Sequence, residues 1–158
     1  MADERHEPMN RILLGVDASD HSVAALQRAS EEARMRDATL EVVYVFSPPE
    51  PMGAWPVPPD RDAPHKDIED ARQEFTEQLG KWLEETDVDL SDLNVEWSVL
   101  ADRRPARALV ERSKDADLVV VGSRGRGGFM GLKLGSVSEQ VTRHALAPVL
   151  VIRESTKE

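Results

Sequence analysis

Six of the chain's nine glycines stand between residues 122 and 135, within VVVGSRGRGGFMGLKLGSVSEQV at 119–141. An apolar run stops at Gly122, Gly125 follows, and Gly135-Ser136 opens a helix-like pattern. Each part suits an anion. Glycines without Cβ let backbone take left-handed angles or approach a ligand closely. A helix start offers unpaired amide hydrogens and the positive end of the dipole. The Ser136 hydroxyl can cap that helix or donate to a phosphate oxygen. The charged residues between 122 and 136 are Arg124, Arg126 and Lys133, with no acid, in a chain whose net charge is −10. The pattern describes a phosphate cradle. As spacing alone, it fits a plain flexible turn equally well.

Two better-known phosphate loops are excluded. A Walker A loop ends in Gly-Lys-Ser/Thr, whereas Lys133 precedes Leu134. A dinucleotide fingerprint requires G-x-G-x-x-G; Gly125 and Gly127 begin one, but Met130 occupies its last position.

Position decides between cradle and turn, and position depends on the elements around the loop. RILLGVD (11–17) reads as a buried strand, TLEVVYVF (39–46) as a β-branched and aromatic one, NVEWSVL (94–100) as an alternating one with Val95, Trp97 and Val99 on one face. DLVVVG (117–122) and PVLVIR (148–153) complete the set. Val23, Leu26, Ala29 and Ala33 have helical spacing, with Ser19, Asp20 and Ser22 as candidate N-caps. Ile68, Ala71, Phe75, Leu79 and Trp82 mark a second helix. Pro105 opens a third, with Ala106, Leu109 and Val110 on its apolar face, and Val137, Val141 and Ala145 mark a fourth. Alternation of strand and helix predicts an α/β domain over 10–153, an open five-stranded parallel sheet with helices on both faces. Ligands of such sheets sit beyond the carboxyl ends of the strands, where strand order reverses. The fourth strand ends at Gly122, the mouth of the loop, and the first at Asp17. If these strands are neighbours, Asp17 faces the cradle. Its carboxylate could accept from a ribose or base, or hold a divalent ion. It could also serve as a helix N-terminal acid, worth about 0.3–1 kcal/mol, and spacing alone favours that second role.

Residues 47–64 hold seven of the ten prolines and predict a long irregular loop, either a surface insert or, through Met52 and Trp55, a docking element. Residues 1–9 and 154–158 read as flexible termini. There is no cysteine, which fits a reducing cytoplasm and rules out disulfides. The first ten residues are charged and do not read as a secretory signal. No apolar run approaches the roughly 20 residues of a membrane span. With 30 acids against 20 bases, a nucleic-acid-coating surface is not expected.

The stretch GSRGRGGFMGLKLGS matches G-x2-G-x9-G-[ST], and in this it resembles the nucleotide-binding universal stress proteins, with Gly122, Gly125, Gly135 and Ser136 at the defined positions. The flanks ILLGVDAS, DADLVVVGSRG and GSVSEQVTRHALAPVLVIR are similar to the family as well, so the resemblance covers residues 10–153. It implies a Rossmann-like sheet in the order 3-2-1-4-5 and ATP at the junction of strands one and four, with Mg2+ as a companion ion. By the same resemblance, Asp17 and the backbone of Val45 would lie near the adenosine. Gly122, Gly125, Gly135 and Ser136 would hold phosphates and ribose, Val137 would add a backbone amide, and Arg124 and Arg126 would supply charge. A homodimer through 148–153 is implied too. One departure is Arg103-Arg104-Pro105, where the family often has glycine before the proline. The pair could bring a further base near the phosphates, but a solvent-facing position is favoured.

The expected function is therefore an ATP-binding regulatory protein of the stress response. The alternatives are a slow ATPase or self-phosphorylating enzyme, a cyclic AMP binder, and a nucleotide-free dimeric interaction module. No residue pattern nominates a catalytic base; His21 and His144 are candidates only by type.

Overall fold

The computed structural model describes residues 10–48, 68–124 and 134–154. Five strands, β1 (Arg11–Val16), β2 (Thr39–Phe46), β3 (Val95–Ala101), β4 (Leu118–Gly122) and β5 (Val149–Ile152), alternate with four helices: α1 (His21–Arg36), α2 (Ile68–Thr86), α3 (Pro105–Ser113) and α4 (Ser136–His144). All strand pairs are parallel, in the order β3-β2-β1-β4-β5. Every predicted strand and helix is present. The proline-rich stretch beyond Pro48, with Met52 and Trp55, lies outside the described residues, as do 1–9 and 155–158.

The alternation of side chains along each strand divides the core. Ile12, Leu14, Leu40, Val42 and Val120 meet Ala25, Leu26, Ala29 and Ala33 of α1 and Leu79 and Trp82 of α2. On the other face Leu13, Val43, Val119 and Val121 meet Leu109 of α3 and Val141 of α4. A central strand covered on both faces explains the unbroken apolar run LVVV of β4, whereas VLVI forms the edge strand β5 and is half-buried along its length. Gly15 lies at mid-strand for a packing reason: a Cβ there would stand 2.8 Å from Leu109 Cδ1, so its absence lets α3 sit close to the sheet.

One local expectation is corrected, and another holds with a difference in burial. Asp20 holds the N-cap position of α1 in a right-handed helical conformation and makes no side-chain cap bond. Its turn is closed instead by Asp17, described below. Trp97 shares the α2 face with Val95 and Val99, but it is 40% exposed. It lies on the edge strand, where α2 does not close over it.

One polar cluster interrupts the apolar α3 side. Glu41, 5% exposed in the middle of β2, accepts from Arg112 Nε (2.7 Å), Ser98 Oγ (3.1 Å) and Arg11 Nη1 (3.2 Å). The same Arg11 nitrogen donates to Glu96 (2.6 Å). That hydrogen bond holds the Glu96 carboxyl below its ordinary value. The Asp102 carboxyl is held low too, first by the Arg104 backbone N–H (2.8 Å) and then by Arg107. A depressed folded value gives stability that is present above the unfolded value, about 4, and lost as pH falls through the folded one. Acid unfolding is therefore expected to steepen below about pH 4. Glu96→Gln should flatten that slope and lower stability at pH 7 by the same amount, a small one because Glu96 is half exposed. Urea midpoints between pH 3 and pH 7 measure both.

Candidate functional site

The order reverses between β1 and β4, and there the two strands separate. Their pairing ends at Gly15 with Val121. In a parallel ladder the next bond would run from the Asp17 N–H to the Gly122 C=O. Two serine hydroxyls take its two halves instead. Ser22 Oγ accepts the Asp17 N–H (3.1 Å), and Ser138 Oγ donates to the Gly122 C=O (2.5 Å). Both serines are buried. Each polar group is satisfied, so the crevice opens without an orphaned ladder bond.

On the β1 side, Asp17 Oδ1 accepts from the Ser19 N–H (3.0 Å), Ser19 Oγ (2.5 Å) and Ser22 Oγ (2.7 Å). The carboxylate thus organises the turn into α1, as the helix N-terminal reading expected. Ala18 takes φ 57°, a left-handed conformation unusual for a residue with a Cβ. Trp82 of α2 holds the same turn by donating Nε1–H to the Ser19 C=O (3.2 Å). The chain leaves the sheet sharply here, which matters for Val45. The Thr39 N–H to Asn10 C=O bond sets the odd-numbered residues of β2 facing β1. Register ends at Val16 with Tyr44. Among the described residues no β1 amide follows to meet the Val45 C=O, so that carbonyl borders the crevice.

On the β4 side, the loop is cinched at its neck. Gly135 N–H donates to the Ser123 C=O (2.7 Å), and Ser123 N–H to the Ile152 C=O (2.8 Å). Gly135 is the N-cap of α4 and has no side chain to cap it. The first intrahelical bond runs from Glu139 N–H to the Gly135 C=O (2.9 Å). The amides of Ser136, Val137 and Ser138 precede it and have no intrahelical acceptor. Together with Arg124, which stands at the loop's mouth, they give this end of the crevice a positive character.

The glycines act differently from expectation. Gly135 has φ −69° and ψ 161°, which any residue can adopt. Gly122 is not in the left-handed region either. A Cβ on it would lie 3.4 Å from both the Arg124 and His21 carbonyl oxygens, so its bareness serves close approach of three backbone segments. Ser136 is the first helical residue and does not cap. The structure brings together Asp17, Val45, Gly122, Arg124, Gly135, Ser136 and Val137 at one end of the sheet. Gly125 and Arg126 lie outside the described residues. Residue spacing did not single out Ser138; its one signal was a second serine two places after Ser136. His21 directs Nδ1 to Glu154 Oε1 (2.8 Å), and His144 ends α4.

The sequence profile of the Universal stress protein family matches residues 9–153. The chain belongs to that family. Universal stress protein Rv2623 of Mycobacterium tuberculosis (strain ATCC 25618 / H37Rv) is 39% identical over 150 residues, covering 95% of this chain and 47% of the relative. The chain thus spans about half the length of the curated relatives it matches. Universal stress protein UspA from Lactobacillus plantarum superposes with a TM-score of 0.65 at 25% identity, covering 92% of this chain and 98% of that one. A universal stress protein solved in complex with cAMP gives 0.64 at 24% identity, with the same coverage of each chain. The resemblance read from the glycine spacing holds over the whole domain. Among the described residues, no helix of this universal stress protein is long and apolar enough to cross a membrane.

Proposed function

We propose that the β1/β4 crevice binds an adenine nucleotide, ATP by preference, and that its occupancy is the signal this protein contributes to a stress response. The observation that carries the reading is the split itself. Two buried serines hold the strands apart, and the opening lies between an unladdered carbonyl and a bare helix N-terminus. A base with an exocyclic amine suits the Val45 C=O. Phosphates suit the amides of Ser136 and Val137, the Arg124 guanidinium, and the loop residues Gly125 and Arg126. Asp17 directly follows β1, the strand between β2 and β4, and its carboxylate suits a ribose hydroxyl. Among the described residues no three His, Cys, Asp or Glu side chains form a metal cluster. Mg2+ would therefore arrive with the phosphates, as it does in sites built on one carboxylate.

Binding fits these side chains better than turnover. Asp17 Oδ1 is committed to three donors, and the His21 ring is turned to Glu154. Neither is presented as a base for an attacking water. A second reading, cyclic AMP as the ligand, is supported by the relative solved with cAMP. We further place a homodimer contact on residues 148–153. All four residues of β5 are half-buried on an edge strand, and Leu146 beside it is 73% exposed. An edge of this kind needs cover.

The test is equilibrium dialysis of the full chain with labelled Mg·ATP, with unlabelled ATP and cyclic AMP as competitors. ATP should compete at least tenfold better than cyclic AMP. Equal or better competition by cyclic AMP would move the assignment to the second reading, and no retained label would sink both.

A further inference from the structure

At the edge of the sheet opposite β5, the outer side of β3 and the flank of α2 line a cleft of about 600 Å³. Its walls include Arg72, Leu79, Gly80 and Leu83 from α2 and Trp97 and Val99 from β3. Three independent features of it lack an internal explanation. The first is the strand edge. The bonds from Leu40 N–H to the Asn94 C=O and from Asp102 N–H to the Phe46 C=O turn the even-numbered residues of β3 toward β2. Val95, Trp97, Val99 and Ala101 therefore direct their N–H and C=O groups outward. Arg72 Nη1 caps the Val99 C=O (3.1 Å), which among the described residues leaves the Val95–Trp97 part as the open section.

The second feature is Gly80. It sits inside α2, where glycine costs about 1 kcal/mol relative to alanine. Among the described residues nothing lies within 4 Å of where its Cβ would be. None of them requires a glycine there; it widens the cleft wall. The third is composition. The cleft floor is apolar, with Trp97 40% exposed and Leu79 buried. Its surroundings are acidic: α2 carries Glu69, Asp70, Glu74, Glu77, Glu84 and Glu85 against only Arg72 and Lys81. Among the described residues the Arg72 Nε is buried without a hydrogen-bond partner, although the Glu69 carboxylate lies 3.4 Å away at ion-pair distance.

We propose that this cleft receives an extended segment of a partner protein, rich in Lys or Arg, which adds to β3 as a sixth strand and sets an apolar side chain on Trp97. Strand addition uses the outward main-chain groups for affinity and the cleft for specificity. The bare Gly80 gives the incoming backbone room. The acids of α2 select a basic segment and disfavour an acidic one, since like charges brought together cost affinity.

The probe is a fluorescein-labelled peptide, acetyl-Lys-Val-Lys-Leu-Lys-Val-Lys-amide, titrated against the full chain by fluorescence polarisation. Its counterpart with Glu in place of every Lys is the control. The basic peptide should bind at least tenfold tighter. It should slow amide hydrogen exchange at Val95 and Trp97 while leaving Glu96 and Ser98, already laddered to β2, unchanged. Gly80→Leu fills the cleft on an exposed helix position, so it should keep or raise Tm and weaken binding at least tenfold. Gly80→Ala, the milder variant, should raise Tm and weaken binding less. Several results would overturn the proposal: equal binding of the two peptides, no loss on Gly80→Leu, or protection absent from Val95 and Trp97. Self-association abolished by Gly80→Leu would assign the cleft to a second copy instead. Peptide binding only after removal of residues 49–67 would assign it to the chain's own segment.

Discussion

Gly122→Val is expected to raise the Kd for Mg·ATP at least ~100-fold, close to 3 kcal/mol. At this position a Cβ alone already touches the carbonyl oxygens of Arg124 and His21 at 3.4 Å. The two further methyl groups of valine must then turn into the opening between β1 and β4, where the nucleotide would lie. The cost to the fold should be smaller, about 1–3 kcal/mol for a local overpacking, because the strand register below Gly122 is untouched. Gly122→Ala is the graded control and should weaken binding less. Gly135→Ala separates ligand approach from backbone strain. Its φ of −69° accepts alanine, so stability should change by no more than about 1 kcal/mol. If it nonetheless binds ATP more weakly, the added Cβ is meeting the ligand. Binding by Gly122→Val indistinguishable from wild type, with the far-ultraviolet spectrum unchanged, would place the nucleotide somewhere other than this crevice.

The sequence made the frame legible because parallel strands and amphipathic helices have strong local signatures. The predicted strand 11–17 became Arg11–Val16, and the predicted 117–122 became Leu118–Gly122. Each prediction included a flanking aspartate whose carboxylate takes a bond outside the ladder: Asp17 from the serines of its own turn, and Asp117 from the Arg11 N–H at the start of the neighbouring strand (2.8 Å). The glycine spacing located the mouth of the site. It did not reveal why the mouth opens, since that depends on Ser22 and Ser138 dividing one ladder bond between two distant segments. Such a division is a tertiary event with no periodicity. Gly122 also looked like a site of left-handed backbone, yet it serves close contact, and the left-handed residue at the crevice is Ala18; Gly135 stands at the helix start, as its spacing implied. A composition argument cannot tell these uses apart. Trp97 was read as one of three residues on one strand face, and it is. Its exposure follows from where α2 ends its coverage, which strand alternation does not encode.

Glu41 shows the same limit from the energetic side, and it gives the second large expected effect. Within TLEVVYVF it is the one charged residue of an otherwise apolar strand, and the periodicity gave it no role. In the fold it is 5% exposed and held by Arg112 from 71 positions away, by Ser98 and by Arg11. Arg112→Met should lower stability by about 3 kcal/mol, because it leaves a buried carboxylate with its main partner gone. The lower part of the usual range applies, since the Arg112 side chain is itself 39% exposed and Arg11 still reaches Glu41. Glu41→Leu placed on the same chain should recover most of that loss. The pair's desolvation penalty then disappears with the pair, and an apolar residue suits the surrounding Leu13 and Val43. Urea unfolding of the two single variants and the double at pH 7 measures the coupling. Additive losses in the double variant would mean that each residue stabilises the fold separately. A recovery would show that Glu41 and Arg112 act as a pair, linking α3 to β2 beside β3, with little net gain in stability over an apolar contact.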